Sequence, residues 1–364
     1  MTDSLFERIL QHAINHDASD IHLSAHCYPI LRVHGSLQEE PLFDLMSAEQ
    51  LKAFREHILA YKQLSDPGRM ETLDIAYTSE FDERFRINIY SERGSICFAI
   101  RWLKGCFASF SELSLPDQIP QLANLNTGLV LITGSTGSGK STTLAALVNA
   151  INEQRPCHIL TIEDPIEFIH SNKKAIVHQR ELGLDVSSFS LAVRDAMRED
   201  PDVILLGEMR DKDTIRAALS AAETGHLVFS TLHTNDAVGV IDRIIGMFSA
   251  EEQVSIRQQL SLVLKAVVTQ TLVPVIDGKG RLPVNEILII NPAVAHLIRE
   301  HRPEQIKAVM ETGRALGNQT FDWALALRVN SQQIQYERAK ALSHSEKAFE
   351  DALHTLNQSS VRRK

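Results

Sequence analysis

The sequence is poor in cysteine: Cys27, Cys97, Cys106 and Cys157 stand far apart in 364 residues, with no CxxC pair. That spacing argues against a zinc knuckle or a disulfide framework and leaves reduced thiols as the expectation. Long apolar runs are also missing. Lys265, Gln270 and Glu286 interrupt the longest candidates, so none reaches the roughly 18 residues of a spanning helix, and no transmembrane segment is expected. The opening MTDSLFERIL has no basic start, apolar middle or small-residue cleavage site, which makes cytoplasmic residence the expectation. Positive charge is in deficit, with 37 Lys and Arg against 46 Asp and Glu and a net charge of -9. Such a chain offers phosphate backbones no general attraction, and nucleic acid is not expected among its partners. Glycine (17) and proline (12) are not enriched, so disorder is expected only at the end.

What remains is ordinary soluble composition at a length that suits two compact domains. Residues 3 to 16 read as an amphipathic helix, with Leu5, Ile9 and Ala13 at four-residue steps, and Asp17 to Asp20 as a turn. Short alternating segments follow, Ile30–Val33 and Arg84–Tyr90 among them. The pattern loosens between Lys104 and Asn126, around Pro116 and Pro120, and then changes. From Leu129 onward, buried strands (Leu129–Thr133, Ile159–Ile162, Val203–Leu206, Leu227–Thr231) alternate with helices, which implies a mostly parallel sheet covered by helices. Beyond about 250 the signal reads as largely helical. The expected domains are 1–108 (small α/β), 109–350 (α/β with a helical C-terminal part) and a flexible polar tail, 351–364.

Gly134-Ser135-Thr136-Gly137-Ser138-Gly139-Lys140-Ser141 matches the GxxxxGK[ST] phosphate loop, set between an apolar strand and an amphipathic helix, as the motif requires. Glycines let backbone amides approach phosphate oxygens, and the helix start adds unpaired N–H groups and partial positive charge. Lys140 would neutralise the β and γ phosphates and Ser141 would hold magnesium; Thr142 follows in the same turn. The cofactors expected are therefore ATP or ADP with Mg2+.

Hydrolysis also needs acids at the carboxyl edge of the same sheet. The run Asp202-Val-Ile-Leu-Leu-Gly207-Glu208 is a buried strand ending in a carboxylate, and Glu208 is assigned to the magnesium shell. Thr161-Ile-Glu163-Asp164-Pro165-Ile-Glu167 places three carboxylates after another strand. Such crowding suits a general base, though spacing alone does not say which one serves. His226 and His233 flank Leu227–Thr231 and would lie about 23 Å apart along an extended strand, too far to share a metal. His233, at the carboxyl end, is placed to sense the γ-phosphate; His226 either reaches a neighbouring subunit or packs. Candidate cationic fingers are Arg84, Arg86, Arg101, Arg194, Arg198 and Arg210.

These residues together resemble one family. ASDIHLS at 18–24, RFRINIY at 84–90, GSTGSGKSTTLAAL, TIEDPIEF, REDPDVILLGEMRD at 198–211 and TGHLVFSTLHT at 224–234 are similar, in order, to the type IV pilus retraction ATPases, the PilT and PilU group of the secretion ATPase superfamily that includes GspE-like and VirB11-like proteins. The resemblance implies a RecA-like P-loop NTPase domain behind a PAS-like domain, in a homohexamer with ATP between subunits. It implies twitching motility driven by pilus retraction, an inner-membrane pilus platform protein as partner, a paralogous retraction ATPase as a second one, and peripheral association with the inner membrane. It also implies Glu167 as the water-activating base, supported by Glu163 and Asp164. Glu208, His226 and His233 match Walker B and His-box positions, and Arg84, Arg86 and Arg101 match arginines that approach a neighbour's nucleotide. Assembly and secretion ATPases of the superfamily typically carry a longer N-terminal region and a four-cysteine zinc module, which favours the retraction branch here. The retraction motif AIRNLIRE appears as Ala293-Val-Ala-His-Leu-Ile-Arg299-Glu300, its middle altered, which leaves a PilT-like and an accessory PilU-like role both open. A nucleic-acid translocase on the same core is the rival from another class.

Overall fold

The computed structural model describes residues 4–33, 35–62, 72–103, 107–276, 278 and 280–361. Cys106, the first residue of the expected N-terminal helix and the last three of the expected tail lie outside them. The chain separates into two units, one made of residues 1–106 with 164–169, the other of residues 107–163 with 170–364.

In the first unit, the helix Leu5–Asn15 opens on Ser4, whose hydroxyl accepts the Glu7 amide. Its apolar face, Phe6, Ile9, Leu10 and Ala13, packs into a core with Ile21, Phe85, Ile87, Phe98 and Ile100. Six strands, β1 (Ala18–Leu23), β2 (Ile30–Val33), β3 (Ser36–Glu39), β4 (Leu73–Thr78), β5 (Arg84–Glu92) and β6 (Ser95–Leu103), form an antiparallel sheet in the order β3-β2-β1-β6-β5-β4. The segment read as a turn at 17–20 is the start of β1: Asp17 alone takes a positive φ (52°), and Ile21 and Leu23 alternate inward from there. Glu7 is buried in this unit and accepts the Tyr77 hydroxyl and the Glu80 amide (3.2 Å), so its charge is not left bare.

The second unit is built on a seven-stranded sheet, β7 (Gly128–Thr133), β8 (His158–Glu163), β9 (Ile176–Glu181), β10 (Val203–Leu206), β11 (Leu227–Leu232), β12 (Leu264–Pro274) and β13 (Arg281–Ile289), in the order β13-β12-β7-β11-β10-β8-β9. All pairs are parallel except β12 with β13. The expected α/β class with a mostly parallel sheet is what the chain forms. Alternate residues of β7 feed two cores, Leu129 and Leu131 on one face and Val130 and Ile132 on the other. The helix Lys140–Gln154 covers the second face through Leu144, Leu147, Val148 and Ile151.

The stretch beyond 250 departs from the helical expectation, because β12 and β13 occupy 264–274 and 281–289. Both are almost wholly buried, and a strand covered on both faces loses the alternation that marks a half-exposed one. After them, helices Phe321–Asn330, Tyr336–Leu342 and Glu346–Val361 pack on the far ends of β12 and β13 through Phe321, Leu325, Ala339 and Phe349. The segment expected to be a tail from 351 is helical as far as Val361, held by Phe349, Ala352, Leu353 and Leu356 at helical spacing.

Candidate active site

The parallel strands β7, β11, β10 and β8 end along one edge of their sheet, with Thr133 opposite Leu232 and Leu206 opposite both Ser230 and Ile162. That edge is where α/β sheets hold ligands. The phosphate loop leaves the end of β7. Gly134 has φ 135°, and a Cβ there would stand 2.3 Å from the Gln270 carbonyl oxygen, so no side chain fits. Gly139, at φ 86°, starts the helix with no side-chain cap, which leaves the first-turn amides and their partial positive charge for an anion. Ser135, Thr136 and Gly137 form the exposed crest, Ser138 is buried, and Ser141 is exposed on the first turn beside Thr142. Ser138 Oγ is buried without a partner among the described residues. Lys140 donates from Nζ to the carbonyls of Gly134 (2.9 Å) and Ser135 (3.0 Å), so its ammonium lies against the loop.

At the neighbouring strand ends, Glu208 follows β10 by two residues and is largely covered, its side chain 13% exposed. It pairs with Arg210 through one oxygen and faces His233 Nε2 at 3.4 Å with the other. Glu163, the last residue of β8, accepts the Thr161 hydroxyl (2.6 Å) and the Gln179 amide (3.2 Å). His226 lies in the tight link before β11, its Nδ1 near the Ala221 carbonyl (2.9 Å) and the Thr224 hydroxyl (3.2 Å). His226 and His233 cap opposite ends of β11, as the strand arithmetic requires.

Glu167 belongs to the first unit, where it faces Arg86 Nη1 at 3.7 Å. Arg86 is also gripped by Asp74, its Nε 3.0 Å from both carboxylate oxygens. That pairing, reinforced by the charges of Glu167 and Asp164, outweighs burial and raises the guanidinium pKa above its ordinary value. Arg101 donates from Nε to Asp20 (2.8 Å), and Arg84 donates to the Ile166 carbonyl (2.7 Å) and the Thr78 hydroxyl (3.2 Å). Arg198 reaches Asp195 at 3.9 Å on the surface.

Among the described residues no three His, Cys, Asp or Glu side chains gather as a metal cage. Magnesium fits this donor set, because it takes most of its ligands from phosphates and water and needs one or two protein oxygens. Ser141 on the first helix turn and Glu208 after β10 would be the protein oxygens for it. Sequence reasoning overlooked the polar residues behind the loop: Gln270 donates to the Ser138 carbonyl (2.7 Å) and accepts from Thr143 (3.0 Å). Their signal was present, as amides inside otherwise apolar strands.

Known proteins are similar to this chain in sequence and in fold. The family described as Type II/IV secretion system protein matches residues 1–359. A twitching motility protein of Neisseria gonorrhoeae is 45% identical over 316 residues, 87% of this chain and 84% of that protein. The type IV pilus retraction ATPase PilT of Pseudomonas aeruginosa is 43% identical over 332 residues, 91% of this chain and 96% of that protein. A crystal structure of the pilus retraction motor PilT with bound ADP superposes with a TM-score of 0.85 at 41% identity, covering 95% of this chain and 98% of that one. The chain belongs to the Type II/IV secretion system protein family.

Proposed function

We propose that this protein is a hexameric ATPase motor that retracts type IV pili, coupling ATP hydrolysis to rigid-body motion of its domains. The observation that carries the reading is the uncapped, glycine-built loop at 134–141 on the same sheet edge as Glu208 and His233, in a chain more than 40% identical over most of its length to a twitching motility protein and to a type IV pilus retraction ATPase. The loop amides and Lys140 hold the β and γ phosphates. Ser141 and Glu208 would hold magnesium, which supplies neutralising charge beside the phosphates. Release of Lys140 from the carbonyls of Gly134 and Ser135 frees its ammonium for the γ-phosphate, and His233 reports that phosphate to Glu208. Glu167 orients and deprotonates the attacking water, with Glu163 and Asp164 in support.

Arg86 and Arg101 approach the nucleotide of a neighbouring protomer. Arg86 and Asp74 are each about a third exposed, and Arg101 is 65% exposed beside a mostly covered Asp20; such solvent-reached pairs oppose that movement by roughly 0–1 kcal/mol each. The hexamer works on the cytoplasmic side of the inner membrane against a pilus platform protein; among the described residues no helix is long and apolar enough to cross a membrane. A second reading, an accessory PilU-like subunit acting beside a paralogous motor, is favoured by the altered segment Ala293–Glu300, which here lies mostly within the helix Pro292–Arg299. Deleting the gene separates these readings from an assembly or type II secretion role. Hyperpiliated, immobile cells support retraction and bald cells overturn it, while motility retained by a Lys140→Ala chain supports the accessory reading.

A further inference from the structure

Residue Gln270 lies on β12 one step past Thr269, which pairs with Thr133 at the end of β7, so it stands beside the first residue of the phosphate loop. It is 2% exposed. Both of its polar ends are engaged: Nε2 donates to the Ser138 carbonyl (2.7 Å), and Oε1 accepts from the Thr143 hydroxyl (3.0 Å) and from Asn285 Nδ2 (3.0 Å). Its main chain and side chain also fill the space that Cβ atoms on Gly134 and Gly139 would need, at 2.3 Å and 2.8 Å. The orientation of these amides is forced. A carbonyl only accepts, so Gln270 must present its NH2 to Ser138; its oxygen then faces Asn285, which must present its own NH2 in turn.

The chain of bonds continues away from the loop. Asn285 is the β13 partner of Gln270, and its main-chain carbonyl accepts from Gln319 Nε2 (2.8 Å). Gln319 exchanges both main-chain hydrogen bonds with Ile287 at 2.8 Å and stands two residues before the helix Phe321–Asn330. Next to Asn285, Glu286 accepts the Ala237 amide (2.7 Å), at the start of the helix that follows the His233 loop, and the Phe321 amide (3.3 Å). Burial raises the Glu286 pKa against these two amides, which lower it. Consecutive residues of β13 therefore tie both edges of the nucleotide site to one segment at the root of the C-terminal helices.

We infer that Gln270 is a positioning residue for the phosphate loop, and that Gln270, Asn285 and Gln319 relay the state of that loop to the base of the C-terminal helices. The inference rests on the loop being the nucleotide site. Binding of the fluorescent analogue mant-ADP by the unaltered full-length chain, displaced by ATP, tests that premise, and its absence sinks the premise itself. With binding established, Gln270→Glu and Gln270→Met are compared; the first puts an acceptor against the Ser138 carbonyl and the second keeps the volume without any polar group. Each is expected to weaken mant-ADP binding and raise KM for ATP about tenfold, the effect of one buried carbonyl left unpaired. Values within twofold of the unaltered chain, with or without a lower melting temperature, overturn the positioning role. Gln319→Met, which spares the loop and keeps the test open if the Gln270 variants fail to fold, is expected to lower kcat about threefold while mant-ADP affinity stays within twofold. Unchanged kcat overturns the relay.

Discussion

The polar groups around the phosphate loop and those around the acidic loop are held in opposite ways. Behind Gly134–Ser141 lie Gln270, Thr143 and Asn285, each 2% exposed or less and bonded to one another within one core. Around Glu167, by contrast, Arg86 and Asp74 are about a third exposed and meet as ion pairs on a strand surface. Buried amides have no water to fall back on, so a change in a loop resting on them passes into the bonded chain instead of being absorbed by solvent. Exposed ion pairs exchange readily with water and cost little to break. The contrast suits a chain whose phosphate loop can shift only together with its buried partners, while the ion pairs around Glu167 are free to exchange.

The sharpest test of the cradle is Lys140→Ala, expected to reduce phosphate release by the full-length protein a hundred- to thousandfold. Near-normal turnover would remove the cradle from the chemistry. If Glu167 is the proposed base, Glu167→Gln lowers kcat about a hundredfold while mant-ADP affinity stays within twofold, the signature of a carboxylate that acts on water and not on binding. Weakened binding with unchanged kcat would move Glu167 from chemistry to architecture.

The next effect concerns stability. His170 is buried, stacked on Phe107 at 4.5 Å with Nδ1 unpartnered among the described residues, and burial, helped by Lys173, lowers its pKa to about 4 from 6.5. The folded state therefore binds this proton more weakly than the unfolded chain. The stability tied to neutral His170 is fully present above pH 6.5 and falls as the pH drops towards 4, by roughly 2–3 kcal/mol. Urea unfolding across that window should show the slope, and His170→Phe should flatten it; an unchanged slope would mean that other groups carry it. The smallest effect belongs to the exposed pairs, where Asp74→Asn should change unfolding free energy by less than about 1 kcal/mol. A loss of several kcal/mol would erase the contrast between the two loops.

Much of the site edge was legible because β7, β8, β10 and β11 are short apolar runs that stop at glycine, histidine or carboxylate, and parallel strands bring such stops together. The central strands β12 and β13 were not legible. Covered on both faces, they show no alternation, and their amides and Glu286 read only as interruptions of an apolar stretch. The spacing of Glu163 and Glu167 is equally silent about the chain passing from one compact unit to the other within four residues, since proximity in sequence carries no information on which unit a loop joins. The helical end of the chain was obscured by its polar composition, although Phe349, Ala352 and Leu356 carry helical spacing.

The adjacency of Asn285 and Glu286 limits how this protein can be re-engineered. Successive residues of a strand look to opposite sides, so deleting a single residue within β13 would exchange amide and carboxylate between the two layers and mismatch both. A chimera that borrows the C-terminal helices of a relative must therefore be spliced outside this dipeptide, in whole-strand register, if the transplanted part is to sense the nucleotide at all.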